Sequence, residues 1–119
     1  MKKNSKSTII QPDVLAEQCP SRMVVNSMTS KWSVLVFVAL GDGKVKRFSE
    51  LRREIQGVSE KMLTQTLRTL EENNFIIRKS YNVVPPVVEY SLTKLGMGAA
   101  VKINSLTTWI EQNLSDIQK

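Results

Sequence analysis

Residues 48–92 read FSELRREIQGVSEKMLTQTLRTLEENNFIIRKSYNVVPPVVEYSL. Phe48, Leu51 and Ile55 stand at i, i+3 and i+7, which predicts a short helix with one apolar stripe, and Gly57 supplies its C-terminal break. Ser59 is placed to cap a second helix, and Glu60 suits the positive end of that helix. Met62, Leu63, Thr66, Leu67 and Leu70 share its expected inward face. Lys61, Thr64, Gln65 and Arg68 recur one turn apart on the outward stripe. Asn73-Asn74 stops the helix. Phe75 to Tyr81 and Val87 to Leu92 then have strand composition, and Pro85-Pro86 keeps the loop between them stiff and out of the ladder. Helix, turn, helix and two-stranded ribbon, in that order, describe a winged helix-turn-helix.

Upstream, Lys44 to Arg47 can add a short strand that pairs with the ribbon. Ser30 is a plausible N-cap for a helix from Lys31 to about Leu40, in which nearly every face is apolar, so it belongs in the centre of the core. Gly41-Asp42-Gly43 suits its C-terminus. A preceding helix runs from Pro20 to about Met28, with Pro in its first turn and Cys19 near the N-cap. Val14 to Gln18 could form one or two helical turns. Residues 1–11 are polar, basic and without periodicity, and are read as a flexible tail ahead of one domain over residues 12–119. Downstream, Thr93 caps a last helix on which Leu95, Ala99, Ile103, Leu106, Ile110 and Leu114 make a long stripe with Trp109 beside it. The expected architecture is mainly α with a small β-ribbon, a winged helix-turn-helix whose extra N- and C-terminal helices form a dimer interface.

A chain of 119 residues suits a single core, and 41% hydrophobic with 24% charged residues is ordinary for a globular protein. The net charge of +6 favours a polyanionic partner. Nine Lys/Arg against five Asp/Glu fall between Lys44 and Lys79, around the second helix and the ribbon. The longest apolar run, Val34 to Leu40, is far below the ~20 residues of a membrane-spanning helix, and no signal-peptide pattern follows the basic start. A cytoplasmic location is therefore expected. With one cysteine, no histidine, no metal-ligand cluster and no Gly-rich phosphate loop, neither an enzyme nor a bound cofactor or metal is expected.

The outward stripe of the second helix carries the functional reading. Gln65 and Arg68 can each make paired hydrogen bonds to purine edges; Ser59, Lys61 and Thr64 can reach bases or phosphates. Any solvated helix face carries such residues, but the attached ribbon and the flanking arginines favour double-stranded DNA. Arg47, Arg52, Arg53, Arg78 and Lys79 are the expected phosphate contacts, and Asn82 opens the wing tip toward a backbone or minor groove. A protein adaptor without DNA binding is the rival, and it would want an acidic or apolar outward stripe. The terminal helix has more apolar surface than one small domain needs, so pairing with a second copy in a two-fold dimer is expected. Cys19, near a helix N-terminus with Arg22 close by, has its thiolate favoured and is the candidate redox-sensing residue. Equally, it can be a small structural residue that seats the first helix. A lone thiol could form only an intermolecular disulfide.

The segments Cys19-Pro20-Ser21-Arg22, Lys31-Trp32, Arg47 to Arg53, Gly57 to Gln65, Leu67 to Glu71 and Pro85 to Thr93 resemble the HxlR-type winged helix-turn-helix transcriptional regulators of bacteria. The resemblance runs from Cys19 to about Leu114. It implies a homodimer on a palindromic operator, usually near the genes it controls; our reading from the residues is a repressor, with an activator as the alternative. Some members use the cysteine matching Cys19 to sense oxidants or electrophiles; release by a small-molecule ligand, with Cys19 purely structural, is the alternative.

Overall fold

A computed structural model describes residues 13–119; the expected basic tail, residues 1–11, lies outside the described residues. The elements are α1 (Pro20–Thr29), α2 (Lys31–Leu40), β1 (Lys46–Arg47), α3 (Phe48–Glu54), α4 (Glu60–Glu72), β2 (Ile76–Tyr81), β3 (Val87–Leu92), α5 (Lys94–Gln112) and α6 (Leu114–Ile117). The expected helical turns at Val14 to Gln18 are instead a pair of tight turns, closed by the Ala16 N–H on the Asp13 carbonyl and the Cys19 N–H on the Ala16 carbonyl. The Asp13 carboxylate accepts from the Leu15 N–H, a local bond that competes with helix formation.

The centre of the molecule is α2. Its cap is as the sequence predicts, with the Ser30 hydroxyl accepting from the Ser33 N–H, and Val36, Phe37 and Leu40 are fully buried. Val38 stays exposed, so the helix is not enclosed on every side. Around it Leu51 and Ile55 of the α3 region, Val58, then Leu63, Leu67 and Leu70 of α4 close one core with Phe75, Ile76 and Tyr90. The Phe37 and Phe75 rings meet edge to face at 5.5 Å. Burying the three α4 leucines contributes about 1.5–3 kcal/mol each, which is what fixes that helix by its back.

Antiparallel pairing gives the sheet order β1-β3-β2. The turn into β2 is a Schellman stop: Asn74 takes φ 65°, its N–H reaches the Glu71 carbonyl, and the Phe75 N–H reaches the Leu70 carbonyl. Thr93 ties this turn to the last helix. Its hydroxyl donates to the Asn74 carbonyl at 2.7 Å and accepts from the Gly96 N–H at 2.9 Å. Gly96 packs so tightly there that a Cβ would overlap the Phe75 carbonyl oxygen.

From that anchor α5 extends for 19 residues, about 28 Å at ~1.5 Å per residue, yet only Gly96 and Ala100 are buried. Ala99 and Ile103 pack on the core, whereas Leu95, Leu106, Trp109 and Ile110 are exposed. The expected single stripe through Leu114 is broken at Asn113, whose side-chain amide donates to the Trp109 carbonyl before α6 begins.

Candidate nucleic-acid interface

The outward surface of α4 is fixed by its two ends and its buried back. Ser59 accepts from the Met62 N–H at 3.1 Å and starts the helix; Asn73 and Asn74 finish it. Leu63, Thr66, Leu67 and Leu70 face inward, and the buried Thr66 hydroxyl is satisfied by donating to the Met62 carbonyl at 2.7 Å. Met62, expected inward, is 38% exposed. It lies at the margin of the buried stripe, where a long flexible side chain can lean out. Lys61, Thr64, Gln65 and Arg68 are all exposed and, with Glu60, line one shallow depression of about 590 Å³. Ser59 adjoins them, but one acceptor site of its hydroxyl is already occupied by the cap.

The five expected phosphate contacts are exposed, and the fold divides them into three groups. Arg52 and Arg53 border a depression with Phe48, Ser49 and Glu60, and Arg52 stands 3.8 Å from the Glu60 carboxylate. Arg78 and Lys79 are neighbours in sequence but belong to opposite faces of the ribbon, because successive strand side chains alternate. Arg78 pairs with the buried Tyr90 and, together with Thr64, Arg68 and Glu71, lines a cleft of about 330 Å³ between α4 and the sheet. Lys79 pairs with Glu89, as does Arg47 from the other side, so these two cations flank one carboxylate on the far face. There the Lys79 ammonium sits 5.1 Å from the Tyr81 ring centroid, and the Tyr81 hydroxyl donates to Glu89 at 2.8 Å. Sequence reasoning left out Glu60, Glu71 and Glu89 as members of this surface. Their charge sign argues against phosphate, and only the fold brings them beside the arginines.

Cys19 occupies the N-cap position of α1 without capping it. The Asp13 N–H donates to its sulfur at 3.3 Å. That bond, followed by the Ser21 hydroxyl and amide, holds the thiol below the ordinary thiol range against a smaller opposing effect of desolvation. The expected help from the Arg22 charge does not arise: its guanidinium donates to the Leu15 carbonyl at 3.1 Å, and only the Arg22 backbone amide acts on the thiol. Among the described residues no cluster of His, Cys, Asp and Glu could hold a metal, and no single helix is long and apolar enough to cross a membrane.

A family model described as HxlR-like helix-turn-helix matches residues 27–118. The chain is 54% identical over 105 residues to the HTH-type transcriptional regulator YtfH of Escherichia coli, spanning 88% of this chain and 82% of that protein. The transcriptional regulator ytfH from Salmonella typhimurium superposes with a TM-score of 0.86 at 54% identity, covering 91% of this chain and 96% of its own. The redox regulator HypR in its reduced form superposes with a TM-score of 0.75 at 34% identity, covering 83% of this chain and 97% of its own. These relatives are transcriptional regulators, not enzymes.

Proposed function

We infer, from the premise that this chain belongs to the HxlR-like helix-turn-helix family of DNA-binding transcriptional regulators, that it is a cytoplasmic repressor working as a two-fold dimer on a palindromic operator. The observation that carries this reading is the exposed polar stripe of α4, held rigid by three fully or almost fully buried leucines. Lys61, Thr64, Gln65 and Arg68 enter the major groove, with Ser59 at the leading end of the helix. Arg78 approaches phosphates from the α4 side of the wing, Arg47 and Lys79 from its far face, and Arg52 and Arg53 from α3. Two copies paired through α5 would set their reading helices about one helical turn, ~34–36 Å, apart.

The test is equilibrium binding of fluorescent duplexes. Binding to random duplex should be detectable at low salt and fall steeply as salt rises, and selection from a randomised library should return an inverted repeat. No retention of duplex at any salt concentration would contradict the reading and favour a protein adaptor.

A second reading concerns control. The lowered Cys19 thiol and the likeness to HypR support release of DNA by oxidants or electrophiles. A peroxide would convert the thiolate to a sulfenic acid, and a second thiol, from the other copy or a small molecule, would displace water to form the disulfide.

A further inference from the structure

Three acids lie among the cations of the candidate DNA surface, and two of them have surroundings that account for them. Glu71 lines the cleft between α4 and the sheet with Arg68 and Arg78. Glu89 accepts from the Tyr81 hydroxyl at 2.8 Å and stands opposite Arg47 and Lys79 in the ladder. Glu60 has no such account. It is the first residue of α4, and its side chain is 74% exposed. Its carboxylate stands 3.8 Å from the Arg52 guanidinium, too far for a hydrogen bond. The helix does not need it as a cap, because Ser59 already accepts from the Met62 N–H.

Position puts Glu60 among the reading residues. Thr64 follows it by one turn and Arg68 by two, and it borders the same depression as Lys61, Thr64, Gln65 and Arg68. It also borders the depression of Arg52 and Arg53, so it marks the place where the α4 stripe meets the α3 arginines. The N-terminal residues of a reading helix are the ones that lie against base edges. An ionised carboxylate there can only accept hydrogen bonds, and phosphate would repel it. Arg52 and Arg53 beside it offset the phosphate field that it meets on the way into the groove.

We propose that Glu60 is a specificity-determining residue that accepts a hydrogen bond from the cytosine N4 amino group at one symmetric position in each half-site. In the major groove only cytosine and adenine present amino donors; guanine presents two acceptors and thymine one beside a methyl group. Adenine sets its N7 acceptor next to its amino group, where it repels a carboxylate, so cytosine is the base favoured. Guanine and thymine are rejected because acceptor would face acceptor. This role rests on the DNA-reading function of α4 and adds a reader of opposite charge at its N-terminal end.

The experiment selects duplexes from a random library with the full wild-type chain and with Glu60→Gln, a change at an exposed position. The wild-type half-site should hold a cytosine that the Glu60→Gln selection no longer requires, with the other positions kept. That cytosine is then replaced by N4-methylcytosine, which still pairs with guanine but turns a methyl group in place of the N–H toward the major groove. The wild type should lose about ten-fold in affinity on the methylated duplex, and Glu60→Gln less than about three-fold. The same half-site preferences in both selections would overturn the inference and leave the α4 reading standing. So would equal wild-type binding to the methylated and unmethylated duplexes. Weaker binding of Glu60→Gln by one common factor on every sequence would overturn it too, by reducing Glu60 to a support for Arg52 or for the helix end. Absence of any sequence preference in the wild type would overturn both readings.

Discussion

Three oxygens surround the Lys46 ammonium: the Ala39 carbonyl at 2.6 Å, Glu54 at 2.8 Å and Asp42 at 3.2 Å. The residue is 8% exposed and joins the end of α2, the start of the sheet and the end of α3. Desolvation pulls its pKa down, but the hydrogen bonds and charges of Glu54 and Asp42 outweigh it, so the net direction is up. Asp42 is held low, first by the Lys44 N–H and then by Lys46. Lys46→Met should therefore destabilise the fold by about 1–2 kcal/mol in urea titration, the modest value reflecting two half-exposed partners. The signs give the pH window. A raised lysine stabilises fully below its unfolded value of about 10.4, and the contribution is lost as pH rises through the folded value. A lowered aspartate stabilises above about 3.9, and that is lost as pH falls through the folded value. The wild-type advantage over Lys46→Met should be flat at neutral pH and shrink toward both extremes; a constant difference from pH 3 to 12 would contradict the triad. At Cys19 the prediction is kinetic. Alkylation of the native chain should reach half its limiting rate at a lower pH than alkylation of the urea-unfolded chain. Cys19→Ser should bind DNA normally and resist release by diamide; equal release of both proteins would remove Cys19 from the control mechanism.

At the scale of elements, the joint between the α4–β2 turn and α5 invites a paired substitution. Gly96→Ala forces a Cβ into the Phe75 carbonyl and should cost about 1–3 kcal/mol. Gly98→Ala, where nothing lies within 4 Å, should stabilise the helix by about 0.5–1 kcal/mol. Equal thermal shifts in the two variants would show that the contact at Gly96 is relieved at no cost. The elements themselves were legible because their signals are local: Ser30, Ser59 and Thr93 cap the helices they precede, and the ribbon begins and ends within a residue of its composition limits. Periodicity also separates Lys61, Thr64, Gln65 and Arg68 from the leucines behind them. What it cannot give is the identity of whatever covers a face. Lys46 counts toward a basic surface in the sequence yet is enclosed by the fold, and the α4-side and far-side settings of Arg78 and Lys79 follow from strand register. Arg22 fails to charge Cys19 because the Leu15 carbonyl, positioned by a turn, captures its guanidinium.

For the whole molecule, the extents of 52 × 47 × 23 Å describe a flattened body. Leu106, Trp109 and Ile110 on α5, with Leu114 and Ile117 on α6, form an apolar surface that the other described residues leave uncovered. A monomer would gain nothing from it. Pairing with a second copy would cover it and duplicate the reading helix, which a palindrome requires. Trp109→Asp should keep the helical circular dichroism while shifting the chain toward monomer in sedimentation and weakening operator binding. An unchanged dimer would move the interface elsewhere. The central claim, that the α4 stripe reads base pairs, is tested most directly by measuring wild type, Gln65→Ala and Arg68→Ala against every single-base-pair variant of a selected operator. Each substitution should cost about 1–3 kcal/mol and flatten the preference at one symmetric position per half-site, with preferences elsewhere retained. Two variants that reproduce the full wild-type profile and affinity would show that α4 is not the reader.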